Sequence, residues 1–407
     1  MIDRILIENF KSLRRVDLKL GAMNLFIGTN ASGKSNFFDA LRVLQGIGNG
    51  FTISEILDGK PSAENLQKWD GVRGGSTKAT LAAAQGDPIR ICATGVVDDV
   101  RRWRYDIAFD AREGRVTAES LKVQDDIYDT TAVAPVQNDG PTLRARYYRG
   151  GKGNPPHLAF ERSKPILCQL ARGNGAQGIK KSHAEDADAI ARLLANMQRI
   201  DPSPAVLRGY SQALQIDRMG ERGENFAALV KAISKDGATK DAYLSWLRQL
   251  RPAEVDDVGT LSGAVGEPLF ALYEHGRKEP FPAPVLSDGT LRFAAITAAF
   301  FQPDMPGLMT IEEIENGIHA SRVRLLVDLL RSRAGAGATQ IMATTHSPIV
   351  LAWLKESEYA TTFFCKRDEA SGESVICPLP EVPHFTETVR KQPIADLFAE
   401  GWLEAAL

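Results

Sequence analysis

The chain has 407 residues, of which 43% are hydrophobic and 25% charged, and its formal net charge is −2. That length can bury a large core and is expected to form more than one lobe. The near-neutral balance excludes a strongly basic, nucleic-acid-coating protein, so any nucleic-acid contact has to come from local patches.

The charged, alternating start MIDRILIENF is unlike a signal peptide. No uncharged apolar run approaches the roughly 18 residues of a membrane span. Cys92, Cys168, Cys365 and Cys377 are scattered without zinc-ligand spacing. The expectation is a cytoplasmic protein with reduced thiols and no membrane partner.

In chain order, residues 1–27 predict two strands from Ile2, Ile5, Ile7 and then Val16, Leu18, Leu20. A buried strand over 23–27 follows and ends at Gly28. Beyond Ser35, Phe37, Phe38, Leu41 and Leu44 recur at helical spacing. Residues 89–123 predict antiparallel strands with a turn at 112–114. Residues 134–180, rich in Gly, Pro and Arg, predict loops with short strands.

From about 184 to about 278 the pattern is helical. Ala189, Leu193, Leu194 and Met197 share one face, and Phe226, Leu229, Val230 and Ile233 another. After 286 helix and strand alternate: helix 291–301, strand 307–311, helix 323–330, strand 340–343. That order implies parallel strands joined by helical crossovers. A short strand is expected at 361–366, ahead of a Pro-containing tail.

The segment GTNASGKS (28–35) fits G-x-x-x-x-G-K-[ST] without a mismatch. Glycines let successive backbone N–H groups turn inward around phosphate oxygens, and the helix that starts near Gly33 adds its positive end. Gly28, Thr29, Asn30, Ala31, Ser32, Gly33, Lys34, Ser35 and Asn36 are therefore the expected nucleotide-binding residues. Lys34 is expected on the β- and γ-phosphates and Ser35 on Mg2+.

Apolar Leu308, Met309 and Ile311 lead into Glu312 and Glu313. A carboxylate at the end of a buried strand can hold Mg2+ through water, and a second beside it can orient an attacking water. Glu312 is assigned to the metal and Glu313 to the water. Glu312 departs from the Asp usual at the first position.

The long separation of this acidic pair from the phosphate loop, with LSDGT (286–290) just before it, is the arrangement of RecF, SMC and related ABC-type ATPases. Further elements agree: IENFKSL (7–13), GTNASGKSN (28–36), GENFAAL (223–229), FPAPVLSDGTLRF (281–293), IEEIENGIH (311–319) and TTHSP (344–348). Together they resemble the stand-alone bacterial AAA family ATPases of the RecF/SMC/OLD-like group.

The resemblance implies an α/β fold: an ABC-type P-loop ATPase head, with a mixed sheet, helical crossovers and an antiparallel β subdomain, plus an inserted helical lobe. The corresponding domains are 1–180 (phosphate loop and antiparallel subdomain), 181–282 (helical insert), 283–367 (signature, acidic strand end and switch histidine) and 368–407 (tail).

It also implies roles. Ser287 and Gly289 contact the γ-phosphate of ATP bound to a second copy, giving a homodimer through an ATP sandwich. Asp288 stands where transporters have Gly. Glu315, Asn316, Gly317 and His319 form a D-loop at the dimer interface, with Ile314 where relatives commonly have Pro. His346 resembles the switch histidine on the γ-phosphate, and Lys11 and Ser12 lie beside the base or sugar. The Q-loop glutamine has no assigned position; Gln45 and Gln67 are its candidates.

OLD-type relatives carry a Toprim nuclease after the ATPase. Residues 347–407 show no D-x-D pattern, so the chain is expected to lack one. No long heptad arm marks a coiled-coil SMC protein.

The leading expectation is therefore a Mg2+-dependent ATPase that regulates a separate nuclease or toxin in anti-phage defence. The alternative is a RecF-like DNA-repair ATPase that binds DNA directly. For the alternative, Arg101, Arg102 and Arg104 interleave with Trp103 and Tyr105. Arg144, Arg146, Arg149 and Lys152 accompany Tyr147 and Tyr148. The same pattern also describes an antiparallel strand with charges on its solvent face. A transporter subunit is disfavoured by LSDGT in place of LSGGQ and by the large insert.

Overall fold

The computed structural model describes residues 1–61, 67–84, 86–131, 140–149, 154–171, 178–211, 217–250, 254–337 and 339–407, the side chains of 67 and 68 excepted. The chain opens with strands β1 (Ile2–Phe10), β2 (Leu13–Lys19) and β3 (Met23–Ile27), then helix α1 (Lys34–Gly48). It divides into two compact units. One comprises Met1–Gly21, Gly28–Met197 and Phe363–Pro378; the other comprises Ala22–Ile27, Gln198–Thr362 and Leu379–Leu407.

The first unit is built on an antiparallel meander. Its strands β4 (Ile89–Val97), β5 (Arg101–Asp110), β6 (Arg115–Val123), β7 (Asp125–Asp129), β8 (Thr142–Tyr147) and β9 (His157–Glu161) join the first two in the order β9-β8-β7-β6-β5-β4-β1-β2. Period-two alternation sets its faces. On β5, Trp103, Tyr105 and Ile107 are buried while Arg102 and Arg104 face outward.

Helices α2 (Ile166–Ala171) and α3 (Lys181–Ala195) pack with α1. Gly48 makes the α1–α3 approach possible, because a Cβ there would collide with the backbone of Ala191 and Ala195. The Cys168 thiol donates to the Ile47 carbonyl at 2.8 Å, which ties α2 to the end of α1.

The second unit contains β10 (Met197–Ile200), α4 (Phe226–Ile233), α5 (Gly237–Leu250), β11 (Val255–Ser262), β12 (Pro268–Glu274), α6 (Asp288–Ala299), β13 (Leu308–Ile311), α7 (Val323–Gly335) and β14 (Gln340–Thr345). Its sheet runs β10-β13-β14-β3. The pairs β13–β14 and β14–β3 are parallel, with Ile311 opposite Ala343 and Thr345 opposite Ile27. Helix α7 is the crossover between β13 and β14 that the alternation after 286 predicts.

Two stretches differ from their helical expectation. Met197, expected on one helical face with Ala189, Leu193 and Leu194, instead opens strand β10, because α3 ends at Ala195 with Asn196 as its C-cap. Residues 255–274 form the hairpin β11–β12, turned through Gly266 at φ 91°. The run Leu269, Phe270, Ala271, Leu272 is buried at every position, and such a run cannot be told from a buried helix by periodicity. Phe270 meets Phe226 of α4 with ring centroids 4.6 Å apart, so strands and helices of this region share one core. The strand expected at 361–366 forms at Thr362–Arg367 and pairs with Ser374–Pro378. The tail beyond it adds short helices, among them Ile394–Ala399. Among the described residues no helix is long and apolar enough to cross a membrane.

Candidate nucleotide site

In the first unit the phosphate loop is shaped by backbone that side chains disfavour. Gly28 and Gly33 take φ of 148° and 101°, and Ala31 takes 64°. A Cβ on Gly28 would strike the Cys365 carbonyl, and one on Gly33 would strike the Ser374 side chain. Helix α1 starts at Lys34 with no side-chain cap and no acidic residue in its first turn. Its positive end therefore faces the loop, the arrangement that suits an anion.

Lys34 is buried and folds over the loop, its Nζ donating to the Gly28 carbonyl at 2.6 Å and to the Thr29 carbonyl at 2.7 Å. The Ser32 hydroxyl lies 3.4 Å from the same ammonium. Thr29, Asn30 and Ala31 are exposed, and Ser35 and Asn36 are partly so.

Beside the loop is a cavity of about 770 Å³ lined in part by Lys11, Ser12, Asn36, Asp39, Arg73 and Arg367. Its size is that of a small-molecule site. The Ser12 hydroxyl lies 2.7 Å from Ser374 Oγ and accepts from Asn36 Nδ2 at 2.7 Å. Lys11 pairs with Asp39 and donates to the Arg73 carbonyl at 2.7 Å. Burial pulls the Lys11 ammonium below its ordinary range, against the opposing pull of Asp39. Arg73 donates to the Ser35 carbonyl at 3.2 Å. Asp39 and Arg73 were missed by motif reasoning, although an acid on the buried stripe of α1 (NFFDAL) was a visible signal. Gln45 donates to the Met197 carbonyl at 2.6 Å; the side chain of Gln67 lies outside the described residues.

In the second unit, β13 delivers Glu312 and Glu313 from four buried residues. Glu312 Oε1 lies 3.2 Å from the Arg199 guanidinium at the end of β10. Glu313 has φ 45°, a left-handed value uncommon for a residue with a Cβ. Its N–H donates to Thr344 Oγ1 at 2.8 Å. Ile314, where relatives commonly carry Pro, is buried and donates its N–H to the Thr344 carbonyl at 3.1 Å, a bond proline cannot make.

Glu315 Oε1 accepts from the His346 N–H at 3.0 Å and lies 3.5 Å from His346 Nδ1. Nearly half of the His346 side chain is exposed. His319 Nδ1 lies 2.9 Å from Ser321 Oγ.

The signature segment opens α6. Ser287 caps it, its hydroxyl accepting from the Thr290 N–H at 3.3 Å. Asp288 bonds Arg208 at 2.6 Å. Ser287, Asp288, Gly289 and Thr290 share a concavity of about 720 Å³ with Gly317, Ile318 and His319. Signature and D-loop residues, nearly thirty positions apart in sequence, thus form one open surface.

The donors suit Mg2+, a hard cation that takes oxygen ligands and keeps several waters. Among the described residues no group of three or more His, Cys, Asp or Glu side chains could hold a metal. Ser35 in the first unit offers a hydroxyl and Glu312 in the second a carboxylate, each an oxygen donor of the kind such an ion accepts.

The arginine clusters are corrected in one respect. Trp103, Tyr105 and Tyr147 are buried and cannot stack on bases. Arg101 pairs with Asp98 and Asp186, Arg102 with Asp3, and Arg104 with Asp106. On β5 this is the solvent face of an antiparallel sheet, its three arginines each paired with neighbouring carboxylates. Lys152 lies outside the described residues.

The model of a family described as “AAA domain, putative AbiEii toxin, Type IV TA system” matches residues 23–352. A protein of Helicobacter pylori (strain ATCC 700392 / 26695) named “ATP/GTP phosphatase” is 33% identical over 102 residues, which cover 23% of this chain and 27% of the relative. The match therefore spans about a quarter of that relative's length. The solved structure “Crystal structure of the SmcHead bound to the C-winged helix domain of ScpA” is similar over 96% of this chain and 99% of its own, with a TM-score of 0.50 and 13% identity. “SMC head domain from Thermotoga maritima” covers 93% and 98%, with a TM-score of 0.43 and 12% identity. The first of these likenesses shows that the chain has the fold of an SMC head.

Proposed function

The chain belongs to the AAA-domain family whose model spans residues 23–352, an ATPase of the ABC and SMC-head type, and from that premise we propose an ATP-controlled homodimer that governs a separate effector. Two copies meet head to head. Lys34 neutralises the β- and γ-phosphates, Ser35 and Glu312 hold Mg2+, Glu313 orients the attacking water and His346 contacts the γ-phosphate. Ser287 and Gly289 of the second copy close on the same phosphate. The bound metal supplies charge neutralisation at the phosphate oxygens. For Glu312 to serve it, the carboxylate must exchange Arg199 for a metal-bound water.

One observation carries this reading: the signature and D-loop residues share an open concavity of about 720 Å³ in the second unit. The Ser287-capped first turn of α6 borders that concavity, with Asp288 of that turn held by Arg208.

The family description, “putative AbiEii toxin, Type IV TA system”, supports a toxin–antitoxin setting. We take the effector to be a nuclease or toxin in bacterial anti-phage defence, and the setting to be cytoplasmic. The test is to purify the Glu313→Gln protein gently from its native host and identify by mass spectrometry what accompanies it. A stoichiometric second protein with nuclease or toxin chemistry is expected. DNA alone, with no protein partner, would replace this reading with a repair ATPase that binds DNA directly.

A further inference from the structure

Arg292 is a buried cation, 4% exposed, on α6 just after the signature segment. One terminal nitrogen donates to the Pro202 carbonyl at 2.8 Å and to Asp201 Oδ1 at 3.2 Å. The other donates to the carbonyls of Glu312 at 2.9 Å and Glu313 at 3.2 Å. Its Nε is buried and has no hydrogen-bond partner among the described residues, so the two terminal nitrogens carry all of its hydrogen bonds, a planar fork serving two sides at once.

The peptide it grips is unusual. Glu313 is held at φ 45°, a conformation that costs about 1–2 kcal/mol for a residue with a Cβ and persists only where the surroundings fix it. Its N–H is fixed by Thr344 Oγ1 and its carbonyl by Arg292. With both ends of the residue tied, the direction of its Cα–Cβ bond is set.

We propose that Arg292 is the positioning residue for the Glu313 carboxylate. It holds the left-handed peptide at the end of β13 and so aims the side chain. It also joins α6, capped by Ser287, to that strand end through one side chain. Engagement at Ser287 and Gly289 is thereby felt at Glu313 in the same copy. The proposal rests on the reading of Glu313 as the water-orienting group.

Lysine offers one point charge in place of the fork and cannot span Pro202 and the two strand-end carbonyls. The test compares wild type, Arg292→Lys and Arg292→Ala in steady-state ATP hydrolysis, binding of a fluorescent ATP analogue, and thermal melting. The alanine protein is also assayed with added guanidinium ion. The expected result is a loss in kcat of about 100-fold, of the size general-base catalysis supplies. KM and analogue affinity should stay within about threefold, the signature of a group felt in the transition state. Guanidinium should restore part of the rate to Arg292→Ala and none to Arg292→Lys.

An unchanged kcat in Arg292→Lys would overturn the assignment. So would kcat, affinity and melting temperature falling together without rescue, which is the pattern of a structural residue. If Arg292→Ala does not fold, the split between kcat and affinity in Arg292→Lys decides. If Arg292 variants show the split but Glu313→Gln hydrolyses ATP normally, the reading of Glu313 is what fails.

Discussion

Gly289 approaches Gly317 so closely that a Cβ on Gly289 would collide with the Gly317 carbonyl oxygen. Signature segment and D-loop are thus packed backbone to backbone, and a displacement of one is transmitted to the other. Gly289→Ala should push the D-loop outward at a cost of about 1–3 kcal/mol, as for overpacking in a core. ATP binding by the altered copy's own phosphate loop should persist while ATP-dependent association is lost. Analogue binding and light scattering on the same protein check both halves. Association at wild-type strength would mean that the contact is incidental.

Lys34 is the loop's buried cation, turned onto the carbonyls of Gly28 and Thr29. Lys34→Met keeps the length of the side chain and removes the charge. Hydrogen bonds to charged groups contribute about 1.5–3 kcal/mol, so ATP affinity should fall by roughly 10- to 100-fold. The melting temperature without nucleotide should fall as well, because the Gly28 and Thr29 carbonyls lose their donor. Titration calorimetry gives the affinity, and an unaltered value would remove Lys34 from the phosphate site.

How much of this the residues announced depends on the range of the interaction. The phosphate loop, β3 and the acidic strand end are local patterns, and each forms where its periodicity and glycines place it. The hairpin β11–β12 escaped because its buried run Leu269–Leu272 has no period to separate strand from helix. Arg292 escaped because its partners, Pro202 and the Glu312–Glu313 carbonyls, come together only through tertiary packing. Its one local trace is a charge inside the otherwise apolar and small-residue helix RFAAITAAF. The Arg199–Glu312 pair likewise exists because β10 lies beside β13, an adjacency set by sheet order. The aromatics of β5 show a third case: their alternation with arginines fits both a base-stacking surface and a strand with its charges toward solvent, and burial of Trp103 and Tyr105 decides for the strand.

Glu119 supplies a pH-dependent test of the first unit. It is 1% exposed and accepts from Tyr105 at 3.0 Å, Tyr128 at 2.7 Å, Leu167 N–H at 2.9 Å and Ile166 N–H at 2.7 Å. It thereby anchors α2, which packs on α1, to the meander. Burial pushes its carboxyl above the ordinary 4.5, and the four donors oppose this without cancelling it. A raised folded value means that the group's titration favours the folded state fully below 4.5, and that this share is lost as pH rises through the folded value. Glu119→Gln should destabilise by about 1–3 kcal/mol, because its amide presents donors to donors. The deficit relative to wild type should be larger near pH 4.5 than near neutrality. Denaturant unfolding at the two pH values measures it, and a deficit that grows toward neutral pH contradicts the sign.

The central claim is that ATP makes two copies of this chain into one assembly, and the mass of the Glu313→Gln protein tests it most directly. With the water-orienting carboxylate neutralised, bound ATP is no longer consumed, so the associated state should accumulate. Light scattering on an eluting peak at saturating ATP and Mg2+ should report twice the 44.4 kDa of the chain. The same protein without nucleotide, or carrying Lys34→Met as well, should elute as a single copy. A single copy at saturating ATP, in a protein shown by calorimetry to have ATP bound, would contradict the account.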